Sequence, residues 1–287
     1  MPDTLSVRKF AVIGHPIGHT MSPFIHQRLF ALDGYRVDYQ VFDIPPEQLR
    51  DKVGKELSRL DGYNITIPHK QAIIPLLDRL SEKASLYQSV NTVKNGTVSQ
   101  GYTTDPEGFV KALQNAGIPL AGRVVILGCG GVARVMAYEA AQAGCRVTIA
   151  TRPSGEERAK RLIADARAAA PGGEFAWCRL EEVEGDIDLL VNGTPVGMFP
   201  KTEGMPVEKK VLERTRNLFD SVYNPGKTML MKYAEACGSR VLGGMSMLVW
   251  QAVASHQIWD GSVYRPSDIE GIIREAQEEM ARKFASV

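Results

Sequence analysis

No stretch of the sequence strings together the roughly 18 apolar residues that a membrane-spanning helix needs. The opening residues, M-P-D-T-L-S-V-R-K-F, lack the apolar core of a secretory signal, so a cytoplasmic protein is expected. Cysteine is scarce. Cys129, Cys145, Cys178 and Cys237 are scattered, with no C-x-x-C pair. Disulfide and metal frameworks need closer or regular spacing, so reduced thiols and no metal site are expected. His15, His19, His26 and His69 match no zinc spacing either, and His19 and His26 read as packing or hydrogen-bonding residues. Neither sign of charge is in excess, with 34 Lys and Arg against 33 Asp and Glu. No overall field draws the chain to nucleic acid or to an anionic membrane, and any attraction for anions must be local.

What is present suits two ordinary domains: 287 residues, 44% of them hydrophobic and 23% charged. Strand-like and helix-like segments alternate from end to end. Strands are expected over Lys9–His15, Val37–Ile44 and Tyr63–Ile67, and helices over Ser22–Leu32, Pro46–Leu60 and from His69. Ser22-Pro23 suits an N-cap and first turn. Val90–Lys94 and Thr97–Tyr102, separated by Asn95-Gly96, predict a hairpin. From Gly122 onward the alternation predicts a doubly wound parallel sheet, with strands over Arg123–Leu127, Cys145–Thr151, Asp188–Asn192, Asn217–Tyr223 and Arg240–Leu242. The last two helical segments have no strand between them and are expected to return to the first unit. The expected fold is therefore α/β in two domains. One domain takes 1–105 plus 245–287, and a second, Rossmann-type domain takes 106–244.

The run Gly128-Cys129-Gly130-Gly131-Val132-Ala133 follows a strand and opens a helix with the spacing G-x-G-x-x-A. The first glycine allows the tight turn, the second admits a pyrophosphate, and Ala133 lets the helix pack closely. Backbone N–H groups at the helix start then meet the phosphates. Where NAD sites carry an acidic residue at the next strand end, this sequence has Thr151-Arg152-Pro153. Arg152, with Arg158, suits the 2′-phosphate of NADP, so NADP is preferred over NAD. The alternative is that both are solvated surface arginines.

Further polar motifs lie at strand ends: Gly14-His15-Pro16-Ile17-Gly18-His19-Thr20-Met21-Ser22-Pro23, Asn64-Ile65-Thr66-Ile67-Pro68-His69-Lys70, Val90-Asn91-Thr92 and Thr103-Thr104-Asp105. With 192–198, 220–225 and 244–252, in this order, the sequence resembles the shikimate dehydrogenases over nearly its whole length. The resemblance implies NADPH-dependent, reversible reduction of 3-dehydroshikimate, with quinate or aminoshikimate as alternative substrates and a non-catalytic NADPH or metabolite sensor as the rival class. It implies Lys70 and Asp105 as the catalytic pair. Thr20, Ser22 and Tyr223 would hold the substrate carboxylate, and Asn64, Thr66, Asn91 and Gln251 the ring hydroxyls. Thr194, Pro195, Val196, Val222, Gly244 and Met247 would join the cofactor site. A small-molecule substrate and a monomer or homodimer are expected. Taken singly, Lys70 also reads as a solvated helix lysine and Asp105 as an ordinary helix cap. Thr20, Thr103 and Pro106 depart from the family pattern, where serine, asparagine and glycine are usual.

Overall fold

The structure, a computed structural model, describes residues 7–18 and 20–284, and the expectation for His19 falls outside them. The chain forms two compact units, Met1–Thr104 with Gln251–Ala276 and Asp105–Trp250 with Gln277–Val287.

The first unit runs β1 (Arg8–Gly14), α1 (Ser22–Asp33), β2 (Val37–Asp43), α2 (Leu49–Lys55), β3 (Gly62–Ile65), α3 (His69–Ala72), β4 (Arg79–Leu80), α4 (Glu82–Tyr87), β5 (Thr92–Lys94) and β6 (Gln100–Tyr102). These strands make one sheet in the order β2-β1-β3-β5-β6-β4. Strands β1, β2 and β3 are parallel, β5 runs against β3 and β6, and β4 lies parallel to β6. Strand β1 is a continuous apolar run because both its faces are covered. Phe10 and Val12 pack with Phe30 and Trp259, while Ala11 and Ile13 point the other way onto Leu49, Leu57, Ile73 and Ala84. Each fully buried side chain of this size stabilises the fold by roughly 1.5–3 kcal/mol.

The expected helix over Pro46–Leu60 is shortened and the expected hairpin forms with a longer connection, both for one reason. The helix expected over Pro46–Leu60 survives only as α2, with a 3-10 turn on each side. The Asn95 side chain donates to the carbonyls of Leu57 and Leu60 at 2.8 and 2.9 Å, which ties off the chain where a longer helix would continue. With Asn95 so occupied, Asn95-Gly96 does not form a two-residue turn. Lys94 pairs with Gln100, and 95–99 make the connection, held by Asp78 accepting from the Ser99 amide and hydroxyl at 2.7 Å each.

The second unit runs α5 (Asp105–Asn115), β7 (Arg123–Leu127), α6 (Gly131–Gln142), β8 (Arg146–Thr151), α7 (Glu156–Ala169), β9 (Glu174–Arg179), β10 (Leu189–Asn192), α8 (Lys209–Leu212), β11 (Asn217–Asp220), α9 (Met229–Ala236) and β12 (Arg240–Gly243). Its sheet has the order β12-β11-β10-β7-β8-β9, with every neighbouring pair parallel. Numbered within the unit and read from β9, this is the 3-2-1-4-5-6 order of the Rossmann fold. Strand β9 carried no expectation because it is an edge strand of mixed exposure, without a buried run.

Two helices close the chain, α10 (Gly244–Asp260) and α11 (Pro266–Phe284). Each is divided between the units, after Trp250 and after Ala276, whereas the expected boundary assigned 245–287 to the first. The reason for α10 is local. It follows β12 without a break, the Gly244 amide donates to the Val222 carbonyl at 3.1 Å, and a Cβ on Gly244 would stand 2.2 Å from the Ser221 carbonyl oxygen. In α11 the Met280 methyl lies 3.8 Å from the place of a Cβ on Gly226.

Candidate active site

In the first unit, Ser22 does not cap α1. Met21 holds the cap position and Ser22 is the first helical residue. The Thr20 hydroxyl accepts from the Ser22 amide at 3.1 Å, and the Ser22 side chain faces the Tyr39 phenol. Burial pushes that phenol far above its ordinary range, with the Ser22 side chain opposing only in part, so Tyr39 stays a hydroxyl. Its O–H donates to Asn64 Oδ1 at 2.9 Å, which fixes which way the carboxamide faces. Asn64 Nδ2 then donates to the hydroxyls of Thr92 and Ser255 at 3.2 and 3.1 Å. Asn91 Oδ1 accepts from the Thr104 amide at 2.8 Å, and its Nδ2 donates to Thr104 Oγ1 at 3.0 Å and Gln251 Oε1 at 3.2 Å. Thr20, Ser22, Asn64, Asn91 and Gln251, far apart in sequence, are thus brought into one polar cluster.

Thr66 follows β3 half-buried, its methyl in the space a Cβ on Gly14 would need. Lys70 is in the single turn of α3, half-buried, and its carbonyl accepts from the Val90 amide at 2.8 Å. Asp105 is 5% exposed at the start of α5 and belongs to the second unit.

In the second unit, Gly128 takes φ +96°, and a Cβ there would come within 2.8 Å of the Thr194 methyl. Gly130 and Gly131 behave oppositely, since nothing lies within 4 Å of a Cβ added to either. Gly130 caps α6 with no side-chain bond, so the first N–H groups of the helix remain for an anion. Ala133 is fully buried, and a Cβ on Gly193 would come within 2.9 Å of its own. Cys129 and Val132 are half-buried beside this turn.

Arg152 just after β8 and Arg158 in the first turn of α7 are exposed, and no hydrogen bond or ion pair engages either guanidinium among the described residues. Thr151 is buried, and its hydroxyl accepts from the Trp177 indole at 2.9 Å.

Thr194, Pro195 and Val196 follow β10 and are held by residues the motifs contained but gave no role. Asn192 Oδ1 accepts from the Thr194 amide and hydroxyl at 3.0 and 2.7 Å, and Thr194 Oγ1 accepts from the Val196 amide at 3.2 Å. Asn192 Nδ2 donates to Asp220 Oδ1 at 2.9 Å. Asp220, fully buried, also accepts from the Val222 amide and the Thr228 hydroxyl, and burial raises its carboxyl above the usual range. Val222 and Met247 are buried, while burial pushes the half-buried Tyr223 phenol upward. Sequence reasoning also gave no role to Tyr39, Thr92, Thr104 and Ser255. Ser255 was within reach, lying four residues after Gln251 on the same helix face.

A glycine-lined helix start on a 3-2-1-4-5-6 sheet, beside unpaired arginines at the neighbouring strand end, defines a dinucleotide-binding protein of the Rossmann class. Comparison with known proteins narrows the class. A family model described as the shikimate dehydrogenase substrate binding domain matches residues 12–93. The shikimate dehydrogenase (NADP(+)) of Symbiobacterium thermophilum is 38% identical over 268 residues, 88% of this chain and 89% of its own. That of Thermococcus kodakarensis is 37% identical over 94% of this chain and 95% of its own. The shikimate 5-dehydrogenase of Thermus thermophilus, solved with NADP(H) and shikimate, superposes with a TM-score of 0.85 at 33% identity, covering 94% of this chain and all of the other. The chain belongs to the shikimate dehydrogenase family.

Proposed function

We propose that this protein is an NADP-dependent oxidoreductase that reversibly reduces 3-dehydroshikimate to shikimate. The observation that carries the reading is the Ser22–Tyr39–Asn64–Asn91–Gln251 cluster, a set of hydroxyls and amides suited to a small polyhydroxy acid. Family membership supports the same substrate.

The residues fit the coenzyme. The unobstructed backbone at Gly130 and Gly131 suits its pyrophosphate, and the unpaired Arg152 and Arg158 suit a 2′-phosphate. NADPH, when bound, supplies a hydride to the ketone carbon. Lys70 gives a proton to the ketone oxygen as negative charge builds there and takes it back in the reverse direction. Asp105 orients the Lys70 ammonium and accepts from the neighbouring ring hydroxyl. Ser22, Thr20 and Tyr223 hold the carboxylate, Asn64, Thr66, Asn91 and Gln251 the ring hydroxyls. Thr194, Pro195, Val196, Val222, Gly244 and Met247 complete the cofactor side. We place the enzyme in the cytoplasm as a monomer or homodimer, and no helix among the described residues is long and apolar enough to cross a membrane.

One observation favours a second reading. Thr103 Oγ1 is buried with no partner among the described residues, where the family usually has asparagine, and that change suits the hydroxyl pattern of quinate or aminoshikimate. Nicotinamide absorbance followed with shikimate and with quinate, each with NADP and with NAD, tests reaction, substrate and coenzyme together. The expected result is turnover confined to shikimate with NADP. Absence of turnover under all four conditions overturns the reading.

A further inference from the structure

Behind the substrate cluster of the first unit lies a buried array that the proposed chemistry does not use. His26 is 2% exposed and His256 fully buried, and His26 Nδ1 stands 3.1 Å from His256 Nε2. His256 Nδ1 in turn faces Asp33 Oδ2 at 3.1 Å and the Tyr264 hydroxyl at 2.9 Å, while that hydroxyl donates to Asp33 Oδ2 at 2.6 Å. On its other side the His26 ring stacks on Tyr39, with centroids 4.7 Å apart and planes 12° from parallel.

The proton positions follow from Asp33. Burial alone would raise its carboxyl, but the bonds from His256 and Tyr264 outweigh burial and hold it below the usual range, as a carboxylate. A carboxylate only accepts, so His256 carries its proton on Nδ1 and presents a bare Nε2. His26 must then donate to that nitrogen from Nδ1, because two nitrogens 3.1 Å apart hold one proton between them. Desolvation lowers both imidazoles, so neither takes up a second proton readily. The charged groups facing His256 are Asp33, Asp260 and Arg8, and among the described residues the charged or titrating group that shifts His26 is His256.

We propose that Asp33, His256 and His26 form a positioning relay for the substrate site: the carboxylate sets both imidazole tautomers, the His26 ring fixes the plane of Tyr39, and the Tyr39 hydroxyl fixes Asn64. Tyr39 is the joint between relay and pocket, and the inference rests on the proposed function only for the identity of the acid bound there. A loosened Tyr39 removes the donor that holds Asn64 Oδ1, so the carboxamide is held from its Nδ2 side by Thr92 and Ser255 and shifts in the pocket.

The test uses the full chain and two kinds of readout. In histidine-labelled protein, 15N spectra between about pH 8 and about pH 5 report tautomers directly. Both His26 and His256 are expected neutral with the proton on Nδ1, and a proton on His26 Nε2 overturns the relay. In kinetics, Tyr39→Phe and His26→Leu are each expected to raise KM for 3-dehydroshikimate about 10-fold while KM for NADPH moves less than about twofold. His26→Phe, which keeps a ring against Tyr39, is expected to recover part of that loss. Unchanged KM for the acid in variants whose melting shows them folded overturns the proposal, as does an equal rise in both KM values. If wild-type protein reduces no cyclic ketone, the activity reading has failed, and the nitrogen spectra still decide the relay.

Discussion

Asn64 and Asn91 each have both ends of the carboxamide engaged by the protein, so neither can reverse to suit another ligand without breaking several bonds. Lys70 is the residue assigned to proton transfer, a step typically worth about 10²–10⁴-fold. Lys70→Ala is expected to lower turnover by at least about 100-fold while fluorescence titration gives unchanged NADPH affinity, and near-wild-type turnover refutes the assignment. These residues were legible because they are polar side chains at the ends of apolar runs, in a recognisable order. Tyr39 was not. In V-D-Y-Q-V-F-D its ring reads as one more sheet residue, and only the fold shows its hydroxyl aimed at Asn64 and Ser22.

Among the elements, the ends of β10 and β11 act together. One buried carboxylate, Asp220, ties Asn192 on the first to Val222 and Thr228 beyond the second, and Asn192 holds Thr194. Asp220→Asn replaces an acceptor with an N–H where three donors converge. The expected cost is about 1–3 kcal/mol in urea unfolding, with a rise in KM for NADPH as 194–196 loosen. At the end of β8, Arg152→Ala is expected to weaken NADPH binding about 10-fold and leave NADH binding unchanged, measured by titration of each. Equal loss for both coenzymes would place Arg152 away from the 2′-phosphate. Buried runs such as 123–127 announced their strands. Boundaries were less legible where a distant side chain decided them, as Asn95 does for α2 and for the hairpin.

For the molecule as a whole, acid is the informative stress. The unfolded imidazoles of His26 and His256 titrate near 6.5, and burial holds both below that in the fold. Below about 6.5 the unfolded chain binds protons the folded chain refuses. Their contribution is therefore complete above that pH and is lost as pH falls toward the depressed folded values. Asp220, with a raised folded value, works the other way, its favourable contribution fading as pH climbs past about 3.8. Melting temperature is expected to drop between about pH 7 and about pH 5, and His26→Phe to flatten that slope. A slope identical to wild type would show that His26 does not titrate on unfolding. The alternation of strands and helices foretold two α/β units. The sharing of α10 was hidden, because a helix carries no mark in its sequence where its packing partners change.

The abrupt handover at Gly243 and Gly244 also bears on how the gene can be rearranged. With no connecting residues there, and the Ser221 carbonyl where a methyl group would go, that seam cannot accept an inserted tag, a new terminus or a fused partner. The exposed Pro171-Gly172 corner between α7 and β9 has no such obstruction at Gly172, which makes it the better opening for circular permutation.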